Sequence, residues 1–133
     1  MTHYPRLAMV NTISPPYYAV IFTSLRTPAD PAGYEATADR MLELARQQPG
    51  YLGVESARGD DGLGITVSYW SDLATIRAWR EHAEHTIAQE QGRAKWYSHY
   101  AVRICRVERA WEFNSDPAAA EKEAGEKPAA NEQ

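Results

Sequence analysis

The chain predicts an α+β sandwich of the ferredoxin-like type, with elements in the order strand-helix-strand-strand-helix-strand. Three observations carry that expectation. Two stretches with apolar residues at helical spacing each lie between runs of aromatic and β-branched residues. A Gly59-Asp60-Asp61-Gly62 turn joins the two middle runs as a hairpin. Pro49-Gly50 stops the first helix and Gly92 the second.

Residues 1–16 form a leader that ends in Ser14-Pro15-Pro16, and prolines cannot donate to a sheet ladder. Tyr17 to Leu25 reads as the first strand. Asp30 caps the first helix with Pro31 at the favoured first position, and Tyr34, Ala38, Met41, Leu42 and Ala45 give residues 31–48 an apolar face. Tyr51 to Ala57 and Leu63 to Trp70 are the hairpin strands. Ser71 or Asp72 caps the second helix, which is expected to run to about Gln91. Tyr100 to Phe113 alternates apolar and polar residues and reads as a long last strand. The folded domain is therefore expected over 17–113, with an acidic, disordered tail over 114–133.

Charge placement excludes one class of partner. The chain carries a net charge of -4. Five of its acidic residues but only two of its basic ones lie after Phe113, so the folded part is nearly neutral. It offers no basic face to a phosphate backbone, and nucleic acid is not an expected partner. No apolar run reaches the roughly 18–20 residues of a membrane helix. A single cysteine, Cys105, and an N-terminus without signal-peptide layout lead to an expected cytoplasmic location. Two helices can cover only one face of a four-stranded sheet. The apolar residues on the other face predict a homodimer.

Most of the chemistry lies between Gly64 and Tyr100, which holds three of the four tryptophans together with His82 and His85. Flat rings and imidazoles on one strand-helix unit suggest a site for a small planar aromatic ligand. At about 100° per residue, Leu73, Ile76, Arg80, Ala83 and Ile87 make the buried stripe of the second helix. Trp79 borders that stripe, His82 and Gln89 lie further round, and His85 is nearly opposite. Tyr69 and Trp70 point to opposite faces of their strand. Trp96 and Tyr97 stand where they could close the end of a pocket. Packing and solvated charge are the plainer alternatives for these same residues. An isolated His82–His85 pair does not make a metal site, and no phosphate loop or nucleophile elbow is present.

The Pro49-Gly50-Tyr51-Leu52-Gly53 run, the Ile65–Trp70 strand, the step from Trp70 to Trp79, and Ala88-Gln89 resemble the antibiotic biosynthesis monooxygenase superfamily over roughly residues 17–113. The resemblance implies a dimeric α/β barrel with a pocket between sheet and helices. It also implies oxygenation of quinol- or anthrone-type compounds by O2 without a cofactor. On that reading Trp79, His82 and His85 are the catalytic candidates, and Thr23, Tyr69, Trp70, Gln89, Trp96 and Tyr97 the substrate-binding ones. A non-catalytic binding or stress-related protein is the alternative. In the haem-degrading branch the iron-ligating histidine would fall at Gln89 and the pocket asparagine near Thr23. Gln is a poor iron ligand, so haem is the less favoured reading.

Overall fold

The computed structural model describes residues 9–11, 13–89 and 93–115, without the side chains of 84–89 and 93–94. Its elements are β1 (Tyr17–Arg26), α1 (Pro31–Arg46), β2 (Tyr51–Arg58), β3 (Leu63–Trp70), α2 (Leu73–Gln89), the short α3 (Arg93–Trp96) and β4 (Tyr97–Val107). The strands form one sheet in the order β2-β3-β1-β4, and every neighbouring pair is antiparallel. This is the ferredoxin-like topology that the element order predicts.

Local chemistry fixes the helix starts. Asp30 takes a left-handed conformation (φ 49°), and its Oδ1 accepts from the Gly33 N–H at 3.2 Å, so it caps α1. Asp72 Oδ1 accepts from the Thr75 N–H at 2.9 Å and caps α2. Gly50 (φ 88°) supplies the bend between α1 and β2, and its carbonyl accepts from the Ser71 N–H at 2.8 Å. That bond ties the start of β2 to the entrance of α2. A Cβ on Gly50 would lie 2.7 Å from Thr75 Oγ1, so only glycine fits there.

The core lies on the helix-covered face. Val20, Ala45, Trp70 and Ile76 are buried together, with Tyr18, Tyr51 and Trp79 packed against them. Trp70 is fully buried, and its indole N–H donates to Ser68 Oγ at 2.9 Å. The stripe of α2 differs from the one that spacing predicts. Ile76 and Ala83 are buried and Trp79 half-buried, but Leu73 and Arg80 are exposed. The Trp79 ring stacks at a tilt on Trp70, 5.4 Å between centroids, and burying so large a ring turns Leu73 and Arg80 outward.

The last strand is also displaced from expectation. It starts at Tyr97, paired with Arg26, and ends at Val107, opposite Tyr17. Beyond Tyr17 the first strand gives way to Pro16, so β4 has no partner to pair with. Trp111 and Phe113 are exposed as a result.

The second face of the sheet carries Tyr17, Ile21, Leu25, Leu63, Ile65, Val67 and Tyr69. At one end the leader covers it. The Val10 N–H donates to Glu55 Oε2 at 2.9 Å, and the Val10 side chain lies over Gly53, where a Cβ would come within 2.8 Å of it. At the other end Leu25, Leu63 and Ile65 remain 39–45% exposed.

Candidate functional site

The structure distributes the sequence candidates over several places. Trp70 and Trp79 stand in the core cluster. Trp96 and Tyr97 are on the same side of the sheet but at the other end of β1. There Phe22 meets Tyr97 and Tyr100 at 5.5 and 5.2 Å, and Tyr34 meets Trp96 and Tyr97 at 6.1 and 6.0 Å. Thr23 and Tyr69 project from the second face, away from these rings, because strand alternation places them opposite Phe22 and Trp70. His82 is exposed on α2. The side chains of His85 and Gln89 lie outside the described residues.

Tyr69 belongs to a small network on the second face. Its hydroxyl donates to Glu55 Oε1 at 2.7 Å, and its ring meets Tyr17 edge-on at 5.8 Å. Burial first, and the Glu55 carboxylate second, raise the Tyr69 pKa above the ordinary phenol value; the same two causes raise that of Tyr17. Both phenols are held neutral there, which suits anchoring the leader better than proton transfer.

The helix-covered face offers two features to a ligand. The first is a strip left open beside β4. Phe22 pairs with Val102 and Val20 with Ile104, so these side chains share the helix side. Helix α2 packs on α1 and β3, and Val102 and Ile104 remain 40% and 42% exposed. Phe22, Tyr100, Val102 and Ile104 thus make an apolar strip whose β4 edge, at Val102 and Ile104, stays exposed. Trp79 packs against the core cluster, whose Val20 is the partner of Ile104 in the sheet. Its indole N–H is shielded from water and has no acceptor. An unpaired buried donor costs about 1–3 kcal/mol.

The second feature is a shallow recess lined by Tyr34, Thr37, Ala38, Met41, Trp96 and Tyr97, with an internal volume of only about 10 Å³. That is room for about one water molecule, so a fused tricyclic compound does not fit here. Beside it, Asp30 pairs with Lys95 at 3.1 Å. Lys95 foremost, then the Gly33 N–H, hold the Asp30 carboxyl below its usual range. The Trp96 indole contributes slightly to that lowering without a hydrogen bond of ordinary geometry. Arg26 and Arg58, which also gather at this end, were singled out by no motif or spacing, and each simply follows a predicted strand. Tyr34, which they meet, was expected only as part of the apolar face of the first helix. Among the described residues no group of three or more His, Cys, Asp or Glu side chains could hold a metal ion. Nor is any helix among them long and apolar enough to cross a membrane.

Comparison with known proteins agrees with this architecture. SnoaB from Streptomyces nogalater, a cofactor-independent oxygenase, superposes with a TM-score of 0.58 at 13% identity, covering 72% of this chain and 97% of that one. Rv0793 from Mycobacterium tuberculosis superposes with a TM-score of 0.56 at 17% identity, covering 74% and 99%. At such identities the likeness is one of fold. In sequence, the uncharacterised protein YqjZ of Bacillus subtilis is 56% identical over 99 residues, which are 74% of this chain and 86% of YqjZ. The family model of antibiotic biosynthesis monooxygenases matches residues 16–91, from the first strand through α2. With more than half its length matched and the sheet order in agreement, the chain belongs to the antibiotic biosynthesis monooxygenase family.

Proposed function

We propose that this protein is a monooxygenase that oxidises a planar, electron-rich aromatic compound of quinol or anthrone type directly with O2. The observation that carries the reading is the shielded Trp79 N–H, without an acceptor among the described residues, in a core cluster whose Val20 adjoins the apolar strip on β4. The strip suits a flat hydrocarbon skeleton. The indole can only donate, so it favours the anionic oxygen of an enolate or phenolate over the neutral form. Such an anion is a good one-electron donor to O2. For an anthrone, recombination at the methylene carbon gives a hydroperoxide. Loss of water then leaves one oxygen atom as the new carbonyl, while the other departs in water with the two methylene hydrogens. Tyr100, and Tyr97 beside it, complete the ring-lined wall.

His82 and His85 are the base candidates from sequence. The exposure of His82 favours a second reading, in which the family pocket is retained for binding without turnover. The two readings differ in one measurement. The oxygenase consumes O2 in proportion to quinol oxidised, whereas the binding protein shows saturable quinol binding with no uptake. We also propose that the working unit is a homodimer joined through the second sheet face, whose uncovered end exposes Leu25, Leu63 and Ile65.

A further inference from the structure

At the end of β1 far from Trp70, two guanidinium groups converge on one tyrosine. Arg26 lies over the Tyr34 ring, 3.7 Å from its centroid. Its Nε is buried without an acceptor, and among the described residues the guanidinium bonds no protein oxygen. Arg58 approaches the same ring at 5.9 Å. It donates to Ser24 Oγ at 3.0 Å, to the Tyr34 hydroxyl at 3.3 Å, and to the Gly62 carbonyl. Neither arginine has a carboxylate partner among the described residues. Asp30, the cap of α1, is already paired with Lys95.

The arrangement is built, not incidental. Gly64 is buried under Arg58, and a Cβ there would fall 2.5 Å from the Arg58 Cζ. The bare backbone of β3 is what lets the guanidinium lie across the strand. The Ser24 and Tyr34 hydroxyl oxygens accept from Arg58, which leaves both O–H hydrogens free to donate. Two cations and two hydroxyls therefore present donors at one place, and among the described residues no acceptor answers the Arg26 Nε. Arg26 is half-buried and Arg58 exposed; like charges held this close without an anion repel, and a planar guanidinium with free edges matches a two-oxygen acceptor.

We propose that Arg26, Arg58, Tyr34 and Ser24 form a binding site for an oxyanion, the carboxylate or phosphate group of a small ligand. The neighbouring recess at Tyr34, Met41, Trp96 and Tyr97 has room for little more than a water molecule, so the rest of such a ligand stays outside it. The site is distinct from the strip at Trp79 and does not rest on the oxygenase reading.

The test is calorimetric titration of the full chain at low chloride with inorganic phosphate and, separately, benzoate. Saturable binding of at least one anion at one per chain is expected. Phosphate alone identifies the ligand group as phosphate, and benzoate alone as an arylcarboxylate. Arg26→Gln should weaken binding by about tenfold or more, with Arg26→Lys recovering part of it. Gly64→Ala alters no charge and displaces only the flexible end of Arg58. It should weaken binding too, and it decides alone if circular dichroism shows that Arg26→Gln does not fold. No saturable binding of either anion by the wild type would overturn the proposal, as would unchanged affinity in the folded variants.

Discussion

Two tryptophans nine residues apart share one stack, yet their indole nitrogens have opposite situations. Trp70 donates to Ser68, while Trp79 donates to nothing. Replacing Trp70 with Phe removes a satisfied bond and opens space in the tightest part of the core. It should cost about 2–4 kcal/mol in urea unfolding. Trp79→Phe loses a donor that had no partner and sits at the core's edge, so about 1 kcal/mol or less is expected. The reverse order would mean that Trp79 is structural and Trp70 dispensable. Gly50→Ala should destabilise by about 1 kcal/mol or more, because the left-handed bend and the Thr75 contact both forbid a Cβ. The sequence showed both tryptophans by their spacing. It could not show which N–H would be satisfied, since that depends on Ser68 lying two residues before Trp70 on the same face.

At the scale of elements, the helix caps and the leader give the fold a dependence on pH at both ends. Thr75 foremost holds the Asp72 carboxyl low, and Lys95 foremost holds that of Asp30 low. A carboxyl with a lowered folded pKa adds stability that is present above its unfolded value of about 4 and lost as pH falls through the folded value. Unfolding by acid should therefore set in below about pH 4, and Asp72→Asn should flatten that limb. Tyr17 and Tyr69 are raised by burial and by Glu55. Their contribution is full below the unfolded phenol value of about 10 and is lost as pH rises through the folded value. Amide exchange at Val10 should then accelerate above about pH 10 in the wild type. Glu55→Gln removes a charge that helps hold both phenols up, so it should shift that onset downward; an unchanged onset would release them from the role. The caps were legible in the sequence, but the Tyr17–Tyr69–Glu55 network and the seat of the leader were not. The leader reads as an unstructured lead-in because its prolines bar it from the sheet, and nothing local marks Val10 as the residue that lies over Gly53.

For the whole molecule, the order of elements was legible because each boundary has its own chemistry. Asp30, Pro49-Gly50, the Gly59–Gly62 turn and Asp72 act over a few residues and survive any tertiary context. The end of β4 was not legible. Alternation continues from Glu108 to Phe113, but strand length is set by the partner, and β1 begins only at Tyr17. The site was legible in residue type but not in grouping. Strand parity sends Thr23 and Tyr69 to one face and Phe22 and Trp70 to the other, and the arginines that meet at Tyr34 come from strands far apart in sequence. The same uncovered second face bears on assembly. Sedimentation at micromolar concentration should show a dimer, and Ile65→Glu, which puts a charge among Leu25 and Leu63, should shift it to monomer. A wild-type monomer would remove the proposed interface.

The direct test of the oxygenase reading is O2 uptake by the purified chain in an electrode cell, using a panel of anthrones and naphthalene diols with metal chelator present. Uptake of one O2 per anthrone converted to its quinone is expected. In Trp79→Phe, kcat should fall about tenfold or more with little change in KM, because the lost N–H acts on the developing anion. Saturable binding of these compounds with no O2 consumed, or equal losses in binding and turnover in Trp79→Phe, would contradict that reading.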